Sequence, residues 1–191
     1  MRKLIVSMNL SLDGFMSGVH DELDWHAECW SEEMGEKILE LLDDTDTILL
    51  GRKTYETMAN YWPDKPFGQN FPRQDQAIAD QMNRHEKIVF SRSQSIVFWK
   101  NTKIARRHYA EEIRRLRERP GKNMLIFGSR TLVSSFMKSG LVDEYHLWIH
   151  PVLLGKGVPL FRHQEQKINL KLTGSKILDP GVSLLRYEVI P

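Results

Sequence analysis

A single cysteine, Cys29, stands among 191 residues. No intrachain disulfide framework is available, and the chain is expected to work in a reducing compartment, the cytoplasm. Long apolar runs are absent too: none approaches the roughly 20 residues a membrane helix needs, so no membrane partner is expected. The opening Met1-Arg2-Lys3-Leu4-Ile5-Val6-Ser7 passes from a short apolar run straight into polar sequence. That is how a strand begins, not a signal peptide. Charge of one sign is scarce, with 27 Lys and Arg against 25 Asp and Glu. A net charge of +2 does not by itself draw nucleic acid. The most basic stretch, 100–122, holds nine Lys or Arg and three Glu. It sets Glu111 against Arg114 and Arg115 at helical spacing and lacks interleaved aromatics, so it reads as a solvated face.

Several fingerprints are missing as well. No G-x-G-x-x-G follows the first apolar run, and there is no Walker-type loop. His146 and His150 lie four apart on a predicted strand, roughly 13 Å from each other, too far for one metal. With His20 and His26 they read as surface or packing residues. Cys29 beside Trp30 has no placed base and reads as an incidental thiol. No metal is expected.

What is present is an alternation of strand and helix signals. A strand is predicted over 2–10, then a polar loop over 11–28. Ser31 caps a helix with Glu32 and Glu33 in its first turn and Met34, Ile38, Leu41 and Leu42 on its apolar face. A buried strand follows over 47–50, a helix over 52–59, and a loop punctuated by Pro66, Gly68 and Pro72. A short helix over 76–83 precedes a strand over 87–90. One or two short strands are expected within 95–107, a helix over 109–119, a strand over 123–127, a helix over 129–138 stopped by Gly140, and a strand over 142–150. In the tail Ile168, Leu170 and Leu172 alternate, as do Leu185, Tyr187 and Val189, with Asp179-Pro180-Gly181 between them. This is an antiparallel hairpin closing the sheet. The class is α/β with a mixed sheet, and residues 1–191 read as one domain.

Three turns carry the chemistry. Gly51-Arg52-Lys53-Thr54, Ser91-Arg92 and Gly128-Ser129-Arg130-Thr131 each follow an apolar run, and helix-like sequence follows the first and third. A cation in the first turn of a helix opposes the helix dipole unless an anion lies there. Free backbone N–H groups make the same place a phosphate site. Each turn alone is also what an ordinary turn looks like. Three at the ends of separate strands suggest one polyphosphate gripped at several points. Asp13, at the end of the first strand, reads equally as a substrate hydrogen-bonding group or a turn former. Trp25 covers a planar ligand or packs its loop. The segment 151–157, with Gly155 and Gly157, is a ligand-side loop, a dimer contact or a plain turn.

Taken together, Ser11-Leu12-Asp13-Gly14, Gly51-Arg52-Lys53-Thr54-Tyr55-Glu56, Ser91-Arg92, Gly128-Ser129, Thr131-Leu132, Gly140-Leu141-Val142-Asp143-Glu144 and Pro151-Val152-Leu153-Leu154-Gly155 resemble, in order and spacing, the dihydrofolate-reductase-like superfamily. The resemblance is to the group that shares the reductase domain of bacterial riboflavin biosynthesis, and it runs over nearly the whole chain. It implies a mostly parallel mixed sheet flanked by helices, and an NADPH-dependent reductase acting on a C=N or C=O carbon of a small planar heterocycle, a pterin or a ribosylaminopyrimidine. The alternative is a non-catalytic NADPH-binding protein of the same fold. The resemblance places phosphates at Gly51, Arg52, Lys53 and Thr54, the 2′-phosphate at Ser91 and Arg92, and the pyrophosphate at Gly128, Ser129, Arg130 and Thr131. Asp13, Trp25, Gly155 and Gly157 would face nicotinamide and substrate, and the substrate's proton would come from water or from an acid such as Asp13, the candidate catalytic residue. Members of the group often pair, so a homodimer is an expectation. Two departures stand out: Ser129 and Phe127 replace a glycine and the acid of riboflavin-pathway reductases. No acid in 25–30 aligns with the pterin-facing one of dihydrofolate reductases.

Overall fold

The computed structural model describes residues 1–63, 73–93, 96–161 and 167–190; Pro66, Gly68, Pro72 and Ser95 lie outside them. The strands are β1 (Leu4–Ser11), β2 (Phe15–Ser17), β3 (Thr45–Gly51), β4 (Glu86–Phe90), β5 (Thr102–Ile104), β6 (Asn123–Phe127), β7 (Glu144–His150), β8 (Val158–Pro159), β9 (Asn169–Leu178) and β10 (Val182–Ile190). The helices are α1 (Asp24–Ala27), α2 (Glu32–Asp43), α3 (Arg52–Tyr61), α4 (Arg73–Arg84), α5 (Tyr109–Glu118) and α6 (Arg130–Lys138).

Eight strands form one sheet in the order β5-β4-β3-β6-β1-β7-β10-β9. The first six run parallel, and β10 and β9 are antiparallel to their neighbours. The expected mixed sheet with its C-terminal hairpin is therefore the fold. Central strands read as unbroken apolar runs because both faces are covered. Ile48, Leu49 and Leu50 are each wholly buried, as are Met124, Leu125 and Ile126. On one face Leu132, Val133 and Phe136 of α6 pack with Ile113 and Leu116 of α5. On the other, Met34, Ile38 and Leu42 of α2 meet Tyr55 of α3 and Ile78 and Met82 of α4. Burying each such side chain contributes about 1.5–3 kcal/mol.

Two differences from the sequence reading matter. The stretch 11–28, expected as loop, contains β2 and α1, and β2 pairs with β8 in a separate two-stranded sheet. Elements of two to four residues are too short to display a period. In the tail, Leu170 and Leu172 are 38% and 51% exposed, because β9 is the sheet's outer edge. A one-residue bulge opposite Arg186 and Tyr187 bends that strand.

Candidate functional site

Six parallel strands put six carboxyl ends on one edge, where open α/β sheets bind ligands. The turns after β4, β3, β6, β1 and β7 lie along it in that order, so Ser91-Arg92, the Gly51 turn, the Gly128 turn, Asp13 and the 151–157 loop form a row.

Two of the helices that start on this edge differ from the rest. On α2, Ser31 Oγ accepts from Met34 N at 3.2 Å, and Glu32 and Glu33 fill the first turn. On α3 and α6 no side chain caps the N-terminus and no acid occupies the first turn. Their first N–H groups and the positive end of each dipole are left for something external. The two turns also interlock. A Cβ on Gly51 would sit 2.2 Å from Ser129 Oγ, and one on Gly128 would sit 3.1 Å from Thr54 Cγ2. Gly128 and Ser129 both take left-handed φ, +83° and +69°. Arg52 bonds Glu56 Oε1 at 2.9 Å and Lys53 reaches Asp21 at 3.2 Å, both exposed. Arg130 and Arg92 make no ion pair with a described residue. Ser91 Oγ closes its own turn by accepting from Ser93 N at 3.2 Å.

At the other end of the row Asp13 is committed to its surroundings. Oδ1 accepts from Ser11 Oγ at 2.6 Å and Leu154 N at 3.2 Å, and Oδ2 accepts from Gly155 N at 2.7 Å. The Ser11 hydroxyl first, then the two backbone N–H groups, hold its carboxyl below the usual aspartate range. Such a carboxylate ties the turn after β1 to the loop after β7 and is poorly suited to donate a proton. Leu12 N to Val152 O at 2.8 Å and the β2–β8 pairing add to the tie. A Cβ on Gly157 would lie 2.3 Å from the Ser17 carbonyl oxygen, so this crossing admits only glycine.

Trp25 is buried and stands edge-on to His26 and His150, at 5.5 and 5.3 Å between ring centroids. In the sequence each histidine sits near another, His26 near His20 and His150 near His146; the fold instead brings His26 and His150 together across 124 positions. Asn9 joins them, its Oδ1 lying 3.0 Å from His150 Nε2.

A family model, the RibD C-terminal domain, matches residues 2–184. The chain belongs to the RibD C-terminal domain family. Bacillus subtilis (strain 168) YyaP, itself uncharacterized, is 35% identical over 98% of this chain and 95% of its own. A Thermotoga maritima diaminohydroxyphosphoribosylaminopyrimidine deaminase/5-amino-6-(5-phosphoribosylamino)uracil reductase shares the fold. It superposes with a TM-score of 0.70 at 15% identity, covering 99% of this chain and 57% of that one. Enterococcus faecalis dihydrofolate reductase, solved with NADP(H), superposes with a TM-score of 0.62 at 13% identity over 99% and 97% of the two chains. The RibD-type and dihydrofolate-reductase-like fold is thus shared across the whole chain.

For a RibD C-terminal domain the two departures have structural readings. Ser129 occupies the left-handed position without capping α6, and its side chain faces Gly51. Phe127, at the end of β6, packs against the buried cluster beneath α2 and α3, so no carboxylate stands there. Two shallow depressions, about 280 and 420 Å³, open on the opposite edge of the sheet. The first holds Arg2, which is already bonded to Asp46, to Thr47 Oγ1 at 2.8 Å and to Lys122 O at 2.6 Å. Its polar groups are spent on the fold. No helix among the described residues is long and apolar enough to cross a membrane.

Proposed function

We propose that this chain is an NADPH-dependent reductase that delivers hydride to a C=N or C=O carbon of a small planar heterocycle, of the pterin or ribosylaminopyrimidine kind. One observation carries the reading: two uncapped helix N-termini, interlocked through Gly51 and Gly128, open side by side on the edge that also bears Arg92. The residues fit a dinucleotide. The order along the edge is Arg92, then Arg52 to Thr54, then Gly128 to Thr131, then the Asp13 end. That row spans three strand spacings, roughly 14 Å. It suits a ligand with a terminal phosphate, a central pyrophosphate and a distal ring. NADP(H) in a neighbour of this fold supports the same choice.

In this reading Arg92 and Ser91 hold the 2′-phosphate. The N–H groups of Lys53, Thr54, Arg130 and Thr131 hold the pyrophosphate, with Arg52, Lys53 and Arg130 balancing its charge. Bound there, the nicotinamide supplies the hydride. The protein's own task is alignment, for which the Asp13 tie fixes the loop carrying Gly155 and Gly157 beside the substrate. The proton for the substrate's heteroatom comes from water.

Consumption of reduced nicotinamide, followed by absorbance with pterins and ribosylaminopyrimidines, tests the activity. Tight NADPH binding with no turnover on either class returns the binding-protein alternative. Arg92→Ala is expected to weaken NADPH by about tenfold, the worth of one charge-assisted hydrogen bond at an exposed site, and to leave NADH unchanged. Equal losses for both nucleotides would remove the 2′-phosphate assignment. Asp13→Asn is expected to raise KM about fivefold as the loop loosens, with the pH profile of kcat unmoved. A lost acidic or basic limb in that profile would restore Asp13 as a proton carrier.

A further inference from the structure

His150 closes β7 opposite Ser11, two residues before Asp13, and is fully buried. Its Nε2 faces the Asn9 amide oxygen and so carries the ring proton. That leaves a lone pair on Nδ1, which is buried and has no hydrogen-bond partner among the described residues. Native interiors rarely leave such an acceptor empty. The ring stays neutral, because burial first and His26 second push His150 down to about 4. Burial lowers His26 as well. Two flat rings pack against His150: Trp25 at 5.3 Å and His26 at 6.1 Å between centroids. An aromatic wall with one fixed acceptor is how a pocket orients a small planar ligand.

We propose that His150 Nδ1 is the acceptor that recognises the substrate, taking an N–H from an amino- or lactam-bearing planar heterocycle seated against Trp25 and His26. The assignment rests on the reductase reading for which ligand lies there, and adds the chemistry that selects it. Asn9 is the positioning residue, since its amide fixes the tautomer that leaves Nδ1 open. Entry displaces α1, a four-residue helix without a side-chain cap, whose Trp25 indole N–H bonds back to Glu22 O at 3.3 Å. A substrate lacking N–H donors would leave Nδ1 empty and gain nothing from the site.

The test follows the histidine ring nitrogens by ¹⁵N NMR in the full-length protein. 2,4-Diaminopyrimidine is added with and without NADPH, and 2,4-bis(dimethylamino)pyrimidine, which has no N–H, serves as the matched probe. The diamine is expected to shift the His150 Nδ1 resonance and to bind about tenfold more tightly than its methylated counterpart. His150→Leu is expected to lose that preference. His150→Asn, which returns an amide oxygen near the Nδ1 position, keeps most of it. An unmoved Nδ1 resonance, a His150→Leu protein with the preference intact, or failure of the diamine to bind overturns the assignment. Should His150→Leu not fold, the resonance in the unmodified protein decides. Absence of NADPH binding or turnover in the unmodified protein counts instead against the reductase reading.

Discussion

Gly128→Val is expected to cut NADPH affinity by about a hundredfold or more while leaving a folded protein. Three effects converge on this position. Its φ of +83° lies where a β-branched residue is strained by roughly 1–2 kcal/mol. Its Cβ would stand 3.1 Å from Thr54 Cγ2, so relief of the strain pushes on the first turn of α3. The next residue, Ser129, is also left-handed, so the strain cannot be passed forward without turning the N–H groups of Arg130 and Thr131 away. Each N–H to a phosphate oxygen is worth about 1.5–3 kcal/mol, and losing one or two gives the stated range. Calorimetric titration with NADPH, beside a thermal melt, reads the outcome. Gly140→Ala is the control: φ there is +59° with open space around it, at the far end of α6. It is expected to lower the melting temperature comparably and leave affinity alone. Equal affinity in wild type and Gly128→Val would remove the pyrophosphate cradle from this edge.

These turns are legible in the sequence because their signals lie close together along the chain. A strand, a glycine and a cation followed by a helical period are local, and parallel strands put their exits on one side without further information. The sheet class and the row of turns follow from that. What escaped had no local signal. Asp13 next to Ser11 is visible, but its bonds to Leu154 and Gly155 join positions 141 and 142 apart. The same holds for His26 and His150, which only the packing of α1 over β7 brings together. His146 and His150 do occupy one face of β7, as their spacing implies. The informative neighbour of His150, however, was on another element. The short β2–β8 ladder escaped for the same reason: each strand acquires its character from its partner.

The largest stability effect is expected at Lys87, a wholly buried ammonium at the heart of the β4 side of the sheet. Among the described residues no carboxylate meets it. Nζ donates to the carbonyls of Met82 at 2.7 Å and His85 at 2.8 Å, and lies 4.5 Å from the Trp99 ring centroid. It thereby closes the C-terminus of α4, where a cation suits the dipole. It also braces Trp99, whose backbone N–H and that of Phe98 reach the Tyr55 hydroxyl of α3. Lys87→Ala leaves a cavity and orphaned carbonyls together, a loss of about 3–5 kcal/mol, large against a total stability of roughly 5–15. Burial, and secondarily Lys100, push the Lys87 pKa down from 10.5 to about 8. Between those values the unfolded chain binds the proton and the folded protein sheds it. Lys87 therefore makes the protein more stable as pH rises from about 8 to 10.5, and no further above that. Lys87→Met keeps the stem and removes the titration. The wild-type minus Lys87→Met stability, from urea melts across this window, is expected to climb with pH. A flat difference would mean the two carbonyls and the indole hold the ammonium as well as water does. Lys87 would then be an ordinary cation in a dry place.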